Sequence, residues 1–154
     1  MKNLWKTKNV PHKNWKTIGI KDRGLDNLTL CQMCNEQHIR YEHHMWHKNY
    51  KELTVGCVCA ENMAQGYDGR SAEKLVKKES NFINKGWKES DGLMSRKYKN
   101  RDIGIFKVDN KFRFIISERG QTKHFVTNGA IGDFDEKVEA QRAVWNMFID
   151  EKWL

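Results

Sequence analysis

Proline is almost absent from this 154-residue chain, Pro11 being the single one, so a Pro-rich linker between modules is excluded. Long apolar runs are missing too. Nothing approaches the roughly 20 residues that a membrane-spanning helix needs. No apolar stretch follows the basic N-terminus, as a secretory signal would require. The compartment expected from this is the reducing cytosol, where tightly spaced cysteines point to metal before disulfide. The chain has no Walker loop, no Gly-x-Gly-x-x-Gly run and no Gly-x-Ser-x-Gly elbow, so nucleotide-binding and hydrolase functions have no support. Apolar residues make up only 38% against 31% charged, a core-poor balance that predicts small modules. Six Trp and seven Phe offset part of the shortage, because each aromatic buries a large area.

Acidic residues are in deficit. The net charge is +8 and the pI about 9.3. Such a balance favours acidic partners: nucleic acid, anionic membranes or acidic proteins. Between Met1 and Arg23 stand Lys2, Lys6, Lys8, Lys13, Lys16, Lys21 and Arg23 against Asp22 alone. Residues 1–27 read as an irregular basic arm in which Trp5-Lys6-Thr7 is echoed by Trp15-Lys16-Thr17. Its aromatics have two readings: they stack on bases, or they fold back and cap the core.

Residues 28–90 read as a metal finger and a following helix. Cys31-x2-Cys34 has knuckle spacing, and Cys57-x-Cys59 follows at an expected strand-to-helix junction. Zinc takes four tetrahedral ligands, and a helix start favours thiolate at Cys59. The fourth ligand stays open between Cys57 and a histidine, His47 first. Ile39–Tyr41 and Leu53–Val55 are expected strands, Cys59–Ala64 the first turns of a helix ending near Gly66. A second helix is expected from about Ala72 to Asn84, capped by Ser71 and carrying Leu75, Val76, Phe82 and Ile83 on one stripe.

Cys31, Cys34, Val55, Gly56, Cys59 and Ala60 match the Cys-x2-Cys … Val-Gly-x-x-Cys-Ala pattern of small bacterial and phage treble-clef fingers, which this segment resembles. The resemblance implies a structural zinc ion. His38, His43, His44 and His47 crowd the same segment, a placement similar to that of HNH nucleases. That likeness would make His43 or His44 a general base, with Asn49, His47 or Asn62 holding a divalent ion.

Residues 91–154 change to period two. Ile103–Val108, Lys111–Ser117 and Thr122–Thr127 read as three antiparallel strands, with Phe112, Phe114 and Ile116 on the apolar face. A final helix, capped by Asp133 or Asp135, buries Ala140, Ala143, Val144, Met147 and Phe148. Gly132-Asp133-Phe134-Asp135 followed by Glu139-Ala140-Gln141-Arg142-Ala143 resembles the β3α domains of plant ethylene-response factors and phage integrase arms. Those domains lay a sheet face in the DNA major groove. By that likeness Lys111, Arg113 and Lys123 face the nucleic acid, and Arg96, Lys97, Lys99 and Arg101 contact phosphates.

The expected class is α+β: a treble-clef-like zinc finger, a helix, then a three-stranded antiparallel sheet packed by a C-terminal helix. The expected function is non-enzymatic nucleic-acid binding, DNA ahead of RNA. A protein-binding adaptor or inhibitor that holds an acidic surface is the first alternative, and an HNH-like nuclease the second. No membrane is among the expected partners.

Overall fold

The computed structural model describes residues 2–118 and 131–152 and has an α+β architecture. Lys123 and the expected strand Thr122–Thr127 lie outside the described residues. The chain divides into two compact units, Met1–Lys78 and Glu79–Leu154, each with its own apolar core.

In the first unit the segment read as an irregular arm is ordered. A 3-10 turn spans Leu4–Lys6, and strand β1 spans Lys16–Asp22. β1 pairs antiparallel with β4 (Tyr41–His47), which pairs with β5 (Tyr50–Val55). The arm was hard to read as a strand because β1 does not alternate cleanly: Lys16, Ile18, Gly19 and Lys21 are all exposed. Trp15, just before β1, is 3% exposed, and its indole N–H donates to the Pro11 carbonyl at 2.8 Å. The core-capping reading of Trp15 is the one observed. A two-stranded ladder, β2 (Thr29–Leu30) with β3 (His38–Ile39), frames the knuckle. Helix α1 (Cys57–Met63) follows β5 directly, after Gly56 at its N-cap.

Helix α2 spans Gly69–Asn84, three residues earlier than expected. Its start is set by Asp68, not Ser71: the Asp68 carboxylate accepts the Ser71 backbone N–H at 2.9 Å. Phe82 is buried, whereas Leu75 of the expected stripe is exposed.

Among the described residues the second unit holds a five-stranded antiparallel sheet. Its order is β10-β9-β8-β7-β6, with β6 Lys88–Ser90, β7 Leu93–Tyr98, β8 Arg101–Val108, β9 Lys111–Glu118 and β10 Ile131–Phe134. Of these, β6, β7 and β10 were not expected. Asp91 and Gly92, both at positive φ, turn β6 into β7. The β6 and β7 residues are mostly polar, so no alternation announced them. The expected alternation of β9 is present: Phe114 is buried, with Phe112 and Ile116 packed beside it. Helix α3 (Lys137–Asp150) contributes Ala140, Val144, Trp145 and Phe148 to this core. Its cap is Glu136, in a capping box with Glu139, rather than Asp133 or Asp135.

Candidate metal centre

The knuckle is built by local backbone geometry. The Asn35 N–H donates to the Cys31 carbonyl at 2.8 Å, and Asn35 takes a left-handed conformation (φ 57°) that closes the turn. The Cys31 N–H donates to the Gln37 carbonyl at 2.8 Å, tying the turn to the ladder. The Leu4 N–H donates to the Met33 carbonyl at 2.8 Å, so the N-terminal turn lies against the knuckle.

Cys59 comes to this turn from the first turn of α1. The sulfurs of Cys31, Cys34 and Cys59 lie within 4.8 Å of one another, the only such cluster of His, Cys, Asp and Glu among the described residues. Three thiolates at this spacing share one ion after small side-chain adjustments, given metal–sulfur bonds of about 2.3 Å. Cys31 and Cys59 are buried and Cys34 is half-buried. No disulfide competes for them.

The electrostatics favour negative charge on one sulfur. The Gly56 N–H donates to the Cys31 sulfur at 3.4 Å. Cys31 is brought down to about 5, chiefly by a hydrogen bond from the Cys59 thiol, with backbone N–H groups of Cys34, Gly56 and Met33 adding to it. Cys59 is pushed up, because its proton is the one shared with Cys31. The expected helix-start lowering at Cys59 is thus outweighed by this shared proton. A cation placed among the sulfurs replaces that proton, and the donor set suits a soft or borderline divalent ion.

Of the two residues held open for a fourth ligand, neither joins the cluster. The Cys57 thiol faces the Glu73 carboxylate, and burial together with Glu73 and Glu61 pushes it up. Gly69 at the start of α2 packs against Cys57: a β-carbon there would sit 3.0 Å from that of Cys57. His47 packs its ring on Trp15 at 5.1 Å, and its Nδ1 accepts the Asn49 N–H at 3.1 Å.

The histidines do not converge either. His43 is fully buried, with Nδ1 2.9 Å from the Tyr67 hydroxyl and Nε2 3.0 Å from Glu73 Oε1. His44 lies 3.4 Å from the Thr54 hydroxyl and 3.9 Å from Glu42. His38 is exposed on β3. Asn62 offers its backbone carbonyl to Lys13 at 2.9 Å. Glu73 and Tyr67, the partners of His43, were not singled out from sequence. They stand 30 and 24 residues further along the chain, and no local pattern links them to it.

Most of the cations expected to meet nucleic acid in the second unit have partners inside it. Arg113 Nε bonds Asp133 at 2.7 Å, Lys111 pairs with Asp135, and Arg101 lies 3.0 Å from Glu118. Arg96 donates to the carbonyls of Phe82 and Lys85, and its guanidinium sits over the rings of Phe82, Tyr98 and Trp87. Lys97 and Lys99 are exposed.

No protein-family model matches this chain, and neither a curated protein nor a solved structure matches it. The class the fold itself defines is an α+β protein with a three-cysteine cluster able to hold a metal ion. No helix among the described residues is long and apolar enough to cross a membrane.

Proposed function

We infer that the chain is a small, non-enzymatic nucleic-acid-binding protein whose first unit is held in shape by a structural zinc ion. Cys31, Cys34 and Cys59 would hold the ion. The order of knuckle, β4–β5 hairpin and ligand-bearing helix supports the treble-clef reading. Zinc supplies no reaction step here; it would cross-link two distant stretches of a core-poor segment, the knuckle and the start of α1.

One observation carries the nucleic-acid reading, the uneven distribution of charge. Residues 1–78 carry fourteen Lys and Arg against eight Asp and Glu, whereas residues 79–154 carry fourteen against twelve. The excess therefore sits with the metal cluster. The sheet cations Lys111 and Arg113 are engaged by carboxylates, which moves the proposed contact from the sheet face to the first unit. The burial of both His43 ring nitrogens in hydrogen bonds supports a non-enzymatic role over an HNH-like one.

Titration of labelled DNA and RNA at several salt concentrations tests this reading. The affinity is expected to fall steeply with salt, because each neutralised phosphate releases counterions. An absence of binding to either nucleic acid at low salt refutes it, and stoichiometric capture of one acidic protein in its place favours the adaptor.

A further inference from the structure

Residues 10–14 and 16, with the end of β4 and the turn after it, residues 46–49, line a groove of about 820 Å³ in the first unit. Lys13, Lys16 and Lys48 line it, and no carboxylate does. None of the three is in an ion pair among the described residues; Lys13 donates to the Asn62 carbonyl. Asn14 and Asn49 add amide groups that both donate and accept.

The groove also holds an indole that the core does not use. Successive side chains of a strand point to opposite faces, and at the end of β4 that alternation turns Trp46 outward. Met45 and His47 on either side are buried, while Trp46 is 40% exposed. Lys16 of β1 is the cross-strand neighbour of Trp46.

Lysines alone would suit any polyanion. The exposed ring narrows the choice, because it offers a flat π surface among cations. In a duplex each base face is covered by its neighbours, so only phosphates reach the groove. An acidic peptide answers the charge but brings no ring face of its own by virtue of its carboxylates. An unpaired nucleotide supplies both groups at once. We propose that this groove binds single-stranded nucleic acid, with one base stacked on Trp46 and the neighbouring phosphates on Lys13, Lys16 and Lys48. The proposal rests on the nucleic-acid reading above and specifies its target.

The test uses the full-length, metal-loaded protein and fluorescence anisotropy. The probes are a labelled single strand of about twelve nucleotides, as DNA and as RNA, and the matching duplex. Trp46→Ala is expected to weaken single-strand binding roughly fivefold to a hundredfold, the range of one base–aromatic stack, and to leave duplex binding unchanged. Replacing the three lysines by Gln is expected to reduce the slope of log affinity against log salt by about 2 for a single strand. Trp46→Phe keeps a ring and Trp46→Leu does not. Should the Ala variant lose its circular dichroism or its metal, the Phe and Leu variants decide, with Phe retaining the affinity and Leu losing it. If the wild type binds nucleic acid but neither Ala nor Leu weakens the single strand, this proposal falls and the general reading stands. Preference for the duplex, or equal affinity for polyglutamate, also overturns it. Failure to bind any nucleic acid at low salt removes both.

Discussion

Cys57 and Cys59 are separated by one residue, and they do different work. Cys59 joins Cys31 and Cys34; Cys57 turns toward Glu73. The proposed site therefore predicts unequal effects of the same substitution. Cys59→Ser is expected to take the bound metal from about one ion per chain to near none, and Cys57→Ser to leave it near one, measured by mass spectrometry under native conditions. Loss of metal in the Cys57 variant would restore that residue to the ligand set. A second prediction concerns Asp22. Its carboxylate accepts two hydrogen bonds from Arg40, each 2.7 Å, and one from the Gly24 N–H at 2.9 Å. The Arg40 guanidinium holds this carboxyl below its usual range. A group lowered on folding stabilises the folded state above its unfolded value, near 3.9, and that contribution is lost as the pH falls through the folded value. Asp22→Asn is thus expected to be less stable than the wild type at neutral pH. The gap should begin to close below about pH 4, followed by urea unfolding across pH. A gap that stays constant into acid would mean that the ion pair is not its source.

At the scale of elements, strand β9 was the most legible part of the chain. Phe112, Phe114 and Ile116 alternate with Lys111, Arg113 and Ile115, and the pleat sends the first set to the core. Phe114 is 1% exposed and stacks on Phe134 with centroids 6.1 Å apart. Phe114→Ala is expected to cost about 3–5 kcal/mol, read as faster hydrogen exchange of the β8 and β9 amides. A loss below about 1 kcal/mol would mean that the cavity collapses or that the site is not packed as described. Strands β6 and β7 were not legible, because Lys, Ser and Arg dominate them and their pairing depends on β8. Strand β1 was hidden for the same reason: its lysines face solvent, and only its partner β4 identifies it as a strand. The helices were legible from their apolar stripes, but their starts were displaced. Asp68 and Glu136 cap α2 and α3 where Ser71, Asp133 and Asp135 had equal chemical claims.

The whole molecule has two cores of different kinds. In the first, Cys31 and Cys59 are themselves buried among Met33, Ile39, Met45 and Val55. In the second, aromatic rings fill the space between sheet and helix, Phe82 lying 5.5 Å from Trp145 and 6.0 Å from Phe148. Removal of metal is therefore expected to act on one core and not on the other. With a strong chelator, amide protection should fall across residues 31–63, while the β7–β9 amides of residues 93–118 keep theirs. Hydrogen exchange with mass spectrometry separates these outcomes. Unchanged protection in the first unit would show that its fold does not depend on an ion.

Read alone, the amino-acid order determined the α+β class, the knuckle at Cys31 and Cys34, the candidacy of Cys59 beside it, and the apolar faces of β9 and α3. These are local properties: a period of two or 3.6, a turn, a spacing. Only the tertiary structure decided that Cys57 stays apart from the other three cysteines. Successive helical residues rotate by about 100°, so Cys57 and Cys59 leave α1 on nearly opposite sides. It likewise decided which cations keep a carboxylate and which do not, because Asp133 and Asp135 reach Arg113 and Lys111 across some twenty residues of chain. It also set Trp46 of β4 opposite Lys16 of β1, thirty residues apart in the chain.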